Sequence, residues 1–400
     1  MPELLTLEDL DLGTLAGRRI FVRVDFNVPL SPQGEVLDAT RLEEALPTLR
    51  ELLAAGGRLI LASHAGRPKD APDPRYSLRP VAAKLQELLG RPVAFAADCV
   101  GEAAEKVAAG LAPGGIALLE NLRFHAGEKK NDPAFAAQLA ALAEVYVDDA
   151  FGSAHRAHAS VVGMPERLPR KAAGRLLVRE VTALSRLLGE PERPFATILG
   201  GAKIEDKIDT LENLLPRLDL LLVGGGMANT FLAAQGHDMA ASLVETDRLE
   251  VARDILARAR GRGLEVVLPT DLVVTDDLEA KTRIETVAAG EVPRGTKAVD
   301  IGPATREAFA AAIGRARTLF WNGPMGVFEK PPFDAGTRAV ALALAHCPGF
   351  SVLGGGETVA AARRAGVTER VGHVSTGGGA ALEFLAGKTL PGVAALERSR

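Results

Sequence analysis

The sequence is short of cysteine, of long apolar runs and of excess positive charge. Its two cysteines, Cys99 and Cys347, lie far apart with no metal-ligand spacing, so both are expected as buried free thiols in a reducing, cytoplasmic setting. No apolar stretch approaches the roughly 18 residues that span a bilayer, which argues against a membrane partner. With 51 acidic against 47 basic residues the net charge is −4, and the pI near 6.1 argues against nucleic acid. The opening "MPELLTLEDLDL" is acidic and lacks the basic region of a signal peptide. No low-complexity tract or short-period repeat is evident.

What is present is an alternation. Short apolar, β-branched runs such as "RIFVRVDF" (19–26), "RLILASH" (58–64), "PVAFAAD" (92–98), "IALLENLRF" (116–124) and "VYVDDAF" (145–151) are separated by helical patterns. A second series holds "PFATILGG" (194–201), "LDLLLVGGG" (218–226), "LEVVLPTDLVV" (264–274), "KAVDIGP" (297–303), "RTLFWNGP" (317–324) and "FSVLGGG" (350–356). Near-continuous apolar strands between helices predict parallel sheets covered on both faces. The 400 residues suffice for two cores, so the expected fold is α/β: two doubly wound, Rossmann-like parallel-sheet domains joined by a helical hinge. The predicted boundaries are 1–176, a helix and linker over 177–193, and 194–380, with 381–400 as a terminal segment.

In open parallel sheets, ligands bind beyond the carboxyl ends of the strands. The first series collects Arg23, Asp25, Asn27, His64, Arg67, Arg123, His125, His155, Arg156 and His158 there, with Arg41 after the first loop. Four of the seven histidines fall in this set. Arginine forks grip carboxylate and phosphate oxygens, so the set suits a small polyanion. Taken singly, each arginine reads more readily as a solvated loop charge; the repeated placement after apolar strands weakens that reading for the set. "HRAH" (155–158) offers two imidazoles three apart but no third metal ligand.

The second series ends instead in glycine: "GGAK", "GGGMANTF", "NGPMGVFE", "GGGET" and "STGGGAAL". Each alone is a tight strand-to-helix turn; five at successive strand ends suit a nucleotide lying over the sheet edge. Within "TILGGAKIEDKIDT", Lys203 and Lys207 stand four apart where a helix is expected to start. Cations sharing one face of a first turn repel each other and oppose the helix dipole, and a phosphate repairs both faults. Lysine is the scarcer cation here, 12 against 35 arginines, which marks the pair as compact point charges. A Walker A sequence, a dinucleotide G-x-G-x-x-G and the protein-kinase signatures are all missing, which lowers the reading as an NAD-dependent dehydrogenase.

Taken together, "VRVDFNVPL", "SHAGRPK", "ENLRFHAGEKKN", "DAFGSAHRAHAS", "GGAKIEDKI", "GGGMANTFL", "DIGPAT", "WNGPMGVFE", "GGGETVAA" and "STGGGAALEFL" resemble the phosphoglycerate kinase family, in that family's order, from near residue 20 to near 388. The resemblance implies reversible phosphoryl transfer between ATP/ADP and 3-phosphoglycerate/1,3-bisphosphoglycerate in glycolysis, with Mg²⁺. It implies a monomer whose N-terminal domain takes the acid and whose C-terminal domain takes the nucleotide, the two closing on each other. The last segment is expected to return to the N-terminal domain. By motif, the acid site is Asp25, Phe26, Asn27, Arg41, His64, Ala65, Gly66, Arg67, Arg123 and Arg156. The nucleotide site is Lys203, Lys207, Glu329, Gly355, Gly356, Glu357 and Thr358, with Arg41, Lys203 and Lys207 catalytic and Glu357 on the metal. The family usually has Asp where Glu357 stands, Leu for Ala65 and Gly for Ala298. The alternative is a non-catalytic nucleotide-binding protein on the same scaffold.

Overall fold

The computed structural model describes residues 2–398. The chain divides into two compact units, one made of the residues up to Thr182 together with those from Thr389, the other of Ala183–Lys388. The division falls inside the helix Arg175–Leu188.

The first unit is built on six parallel strands: β1 (Arg19–Val24), β2 (Arg58–Ala62), β3 (Ala94–Ala96), β4 (Ile116–Leu119), β5 (Val145–Asp149) and β6 (Lys171–Ala173). They lie in the order β3-β4-β2-β1-β5-β6. The chain moves outward from β1 through β2 and then returns to β5 on the other side, so the switch point lies between β1 and β5. Strand period two sends Ile20, Val22 and Val24 into a core with Leu59, Leu61, Leu49 and Leu85. It also sends Phe21 to the opposite face, stacked on Tyr146 at 6.2 Å, and Arg23 with it. The last residues close this unit: Gly392 N donates to Ala154 O at 2.8 Å and Leu5 N to Leu396 O at 2.8 Å. The final two residues of "GVAALERSR" lie outside the described part.

The second unit repeats the plan with β7 (Phe195–Leu199), β8 (Leu220–Val223), β9 (Glu265–Val267), β13 (Thr318–Asn322), β14 (Phe350–Gly354) and β15 (His373–Val374), ordered β15-β14-β13-β7-β8-β9 and all parallel. Its switch point lies between β7 and β13. Trp321 is fully buried there among Ile198, Phe309 and Leu353, and its indole N–H donates to Gly323 O at 2.8 Å. The helix Gly379–Leu385 stays in this unit, held by Thr210 on Leu382 O at 2.9 Å and Asn213 on Leu385 O at 2.7 Å.

One part departs from the purely parallel expectation. The run 264–274 is two strands, β9 in the main sheet and β10 (Asp271–Thr275) in a separate antiparallel sheet, interrupted at Pro269. There β10 pairs with β11 (Ile284–Ala288) and β12 (Lys297–Ile301) in the order β11-β10-β12. Its small core gathers Leu232, Met239, Leu272 and Val274. Cys99 is a buried free thiol as expected, but Cys347 is only partly covered. No described helix is long and apolar enough to cross a membrane.

Candidate active site

At the carboxyl ends of β1, β2 and β4 the first unit assembles a cationic hub. Arg23 is fully buried, an expensive place for a guanidinium, and each of its three side-chain nitrogens has a partner. Nε donates to Ser160 Oγ at 2.9 Å, one terminal nitrogen to Val24 O, and the other lies 3.2 Å from His64 Nδ1. Arg41, in the first turn of the helix Thr40–Ala54, donates to Asp25 Oδ2 at 2.9 Å and Asn27 O at 3.3 Å. Asn27 Oδ1 accepts from Gly66 N at 2.8 Å, and Gly66 O accepts from Arg123 at 2.7 Å. Asp25, Asn27, Arg41, Gly66 and Arg123 are thus joined by a chain of hydrogen bonds.

Charge in this hub is unbalanced. Burial, then Arg23 and Arg156, lowers the Arg123 pKa to about 10. Burial, then Arg123, Arg23 and Arg156, lowers His158 to about 3. His64 is also held well below its ordinary value by burial, then by Arg23, Arg123 and Arg41. Both imidazoles are therefore neutral hydrogen-bonding groups, not proton shuttles at neutral pH. Arg123 Nε is buried with no acceptor among the described residues, while Arg67 and Arg156 are exposed. A buried N–H without an acceptor costs about 1–3 kcal/mol.

Two residues expected here reach the site only through backbone. Phe26 is fully buried, its side chain packed in the core beneath the loop, with its N–H on Ser63 Oγ at 2.8 Å. Ala65 is buried too, its N–H on Asn121 Oδ1 at 3.2 Å and its carbonyl on Asn121 Nδ2 at 2.8 Å. Of the remaining histidines, His125 leaves the hub, pairing with Asp98 at 2.7 Å.

At the sheet edge of the second unit lies a cavity of about 220 Å³. Its lining is apolar along Leu243, Leu272, Ala298, Met325 and Val327, and acidic at Asp300, Glu329 and Glu357. Leu243 is 53% exposed, unusual for a large apolar side chain at a cavity. Asp300 is buried and accepts from Gly336 N at 2.7 Å and Ile301 N at 2.9 Å. Burial raises its pKa to about 7. Thr358 is buried, its hydroxyl accepting from Gly323 N at 2.7 Å, so it ties two loops together.

The glycines here divide into two kinds. Gly200, Gly201 and Gly225 serve backbone packing: Gly200 N donates to Asn322 O at 2.9 Å, Gly201 N to Pro324 O at 2.7 Å and Gly225 N to Met325 O at 3.0 Å. A Cβ on Gly225 would stand 2.8 Å from Gly201 N and from Pro324 O. At Gly356, Gly378 and Gly379, by contrast, an added Cβ meets nothing within 4 Å. This second group leaves open space at the starts of two helices, Gly356–Arg364, whose first turn carries Glu357, and Gly379–Leu385.

The lysine pair is arranged differently from expectation. Lys203 is not helical; it sits exposed in the turn after β7. A single 3₁₀ turn, Glu205–Lys207, comes first, and the helix Ile208–Leu214 begins only after Lys207, its N-cap. The acidic pair Glu205–Asp206 opens that turn, Lys207 closes it, and Lys203 lies before it. Lys207 is nearly buried and burial lowers its pKa, against the pull of Asp206, Glu357 and Glu245.

The sequence model of phosphoglycerate kinase matches residues 7–388. The chain belongs to the phosphoglycerate kinase family. It is 55% identical over 392 residues to the phosphoglycerate kinase of Desulforudis audaxviator, covering 98% of each chain. To that of Thermus thermophilus it is 56% identical over 394 residues, 98% of this chain and 99% of the other. Among solved structures, phosphoglycerate kinase from Coxiella burnetii superposes with a TM-score of 0.87 at 38% identity, covering 98% of both chains. The sequence motifs leave out Leu243, which lines the cavity with no motif around it, and give no role to Asp300, although it opens "DIGPAT". They include Arg23 but give it no role in the acid site.

Proposed function

We propose that the hub of the first unit binds 3-phosphoglycerate and the cavity of the second binds the nucleotide, in the reversible phosphoryl transfer of a phosphoglycerate kinase. The observation that carries the acid assignment is the surplus of buried positive charge around Arg123, whose Nε has no acceptor among the described residues. Arg123, Arg156 and Arg67 take the phosphate and carboxylate oxygens. His64 stays neutral and offers a hydrogen bond, and Asp25 and Asn27 keep Arg41 and the Gly66 loop in register. A planar base suits the walls of Leu243, Leu272, Ala298 and Val327, and phosphates suit the open backbone at Gly356.

The acceptor is a carboxylate, ionised at neutral pH, so no general base is needed. The barrier lies in positioning and in neutralising the charge that spreads over the moving phosphoryl group. Lys203, Lys207 and Arg41 are assigned that work. Lys207 is desolvated, which strengthens its field, and Lys203 is free to swing onto the phosphoryl oxygens. Mg²⁺ fits the donors present: Glu357 and Glu329 offer hard carboxylate oxygens on the cavity, and this ion draws its other ligands from phosphate and water. When bound, it would supply positive charge that offsets the charge of the phosphates.

The relatives, at 51–56% identity, are named as kinases, which leaves the non-catalytic alternative without support. A coupled assay with ATP and 3-phosphoglycerate, run with and without Mg²⁺, tests the reading. Turnover only with all three is expected; nucleotide binding without turnover refutes it.

A further inference from the structure

Asp98, Cys99 and His125 bring a carboxylate oxygen, a thiol sulfur and an imidazole nitrogen within 4.8 Å of one another in the first unit. Asp98 and Cys99 are consecutive on the loop from β3 to the helix Gly101–Gly110, and His125 stands at the start of the short helix Ala126–Lys129. The carboxylate is anchored by the Cys99 N–H at 2.6 Å. The imidazole is held in plane by stacking on Phe135 at 5.3 Å, and its Nε2 lies 2.7 Å from Asp98 Oδ1. Cys99 is fully buried behind this pair, whereas Asp98 and His125 are part-exposed. Nothing in the phosphoryl chemistry uses the three.

We infer that Asp98, Cys99 and His125 form a binding site for a borderline-soft divalent cation of the zinc class, separate from the Mg²⁺–nucleotide site. Zinc sits about 2.3 Å from sulfur and about 2.0–2.2 Å from nitrogen or carboxylate oxygen, so tetrahedral ligand atoms stand roughly 3.3–3.6 Å apart. The Asp98–His125 contact, 2.7 Å, must open by a distance on the order of 1 Å or less to reach that spacing, within the reach of side-chain rotation. The solvent side of Asp98 and His125 leaves the fourth position to water. Thiolate and imidazole select zinc or cobalt over magnesium.

The protons balance simply. Without the cation, His125 donates its Nε2 proton to Asp98; binding needs that lone pair, so the ring keeps its proton on Nδ1 instead. Cys99 loses its thiol proton to solvent as the metal–sulfur bond forms. Burial, then Asp98 and Glu128, raises the Cys99 pKa well above its ordinary value, so the cation itself must supply the charge that makes the thiolate. Because His125 lies two residues beyond Arg123, the bound cation ties the Arg123 segment to the β3 loop.

The test is titration of the full chain with Co²⁺ alone, followed by Zn²⁺. Expected are one thiolate-to-cobalt charge-transfer band saturating at one equivalent, its loss when Zn²⁺ displaces Co²⁺, and a rise in the unfolding midpoint with Zn²⁺. Cys99→Ser should remove the band and Cys347→Ser should keep it. His125→Gln, at a part-exposed position, should weaken Co²⁺ binding by roughly tenfold or more and decides the matter if Cys99→Ser does not fold. A wild-type chain without the band, a band that survives Cys99→Ser, or unchanged affinity in His125→Gln overturns the inference.

Discussion

Lys207 folds its ammonium over Gly201, so close that a Cβ on that glycine would stand 3.2 Å from Nζ. Gly201 has φ +92, a conformation side chains rarely adopt. The glycine therefore does two things: it makes the turn after β7 and leaves the lysine room to lie along it. Gly201→Ala should destabilise the fold by about 1–3 kcal/mol and displace Lys207. Turnover should fall together with the unfolding midpoint. Turnover that stays at the wild-type level in a folded variant would remove Lys207 from the reacting centre.

Arg123→Ala removes a cation from the hub and a donor from Gly66 O. It should raise KM for 3-phosphoglycerate by about 10- to 100-fold, the worth of one charge-assisted hydrogen bond. KM for ATP should stay within about twofold, since that ligand is assigned to the other unit. Initial rates with each substrate varied in turn separate the two, and an ATP-selective effect would reverse the assignment of the units.

The strands were legible where burial leaves a mark on composition. "RIFVRV" and "FATIL" are rich in apolar and β-branched residues because both faces are covered, and they are β1 and β7. β11 was not legible: its "IETVA" is mostly exposed and half polar, and it exists because β10 offers an edge. β6 and β15 are three and two residues long, too short for any period to show. In the site, Asp25, Asn27, Arg41 and Arg123 could be read from their positions after apolar strands. The burial of Arg23 could not, because its partner Ser160 lies 137 residues away. The four-residue spacing of the lysines does not mark a helix face, because Lys203 lies in the turn after β7 and Lys207 ends a 3₁₀ turn opened by Glu205 and Asp206.

Asp300 gives a pH dependence whose sign can be worked out. Burial raises its pKa to about 7, so the folded chain keeps the proton up to that pH, whereas the unfolded chain loses it near the ordinary 3.8. Between these values the folded state holds the extra proton, and the stability it contributes at low pH is lost as pH rises. Asp149, raised to about 7 by burial, acts in the same sense. Asp300→Asn still accepts from Gly336 N but cannot titrate. Urea midpoints at about pH 5 and about pH 8 should differ less in the variant than in the wild type; equal differences would contradict the raised value.

Glu357→Asp shortens the carboxylate on the open helix start by one methylene. Turnover should keep its Mg²⁺ dependence, with a metal requirement equal to or lower than that of the wild type, and chelation should stop both enzymes without unfolding them. Complete inactivation of the aspartate variant would mean that the loop is fitted to the longer side chain.

The central claim is that cations at the end of β7 act on the transferring phosphoryl group more than on the resting nucleotide. Lys203 offers the most direct test, being exposed, so that its loss does not disturb the core. For Lys203→Ala, kcat should fall by about 100- to 1000-fold while the calorimetric Kd for ATP changes by less than about tenfold. Equal losses in kcat and in nucleotide affinity would contradict the claim.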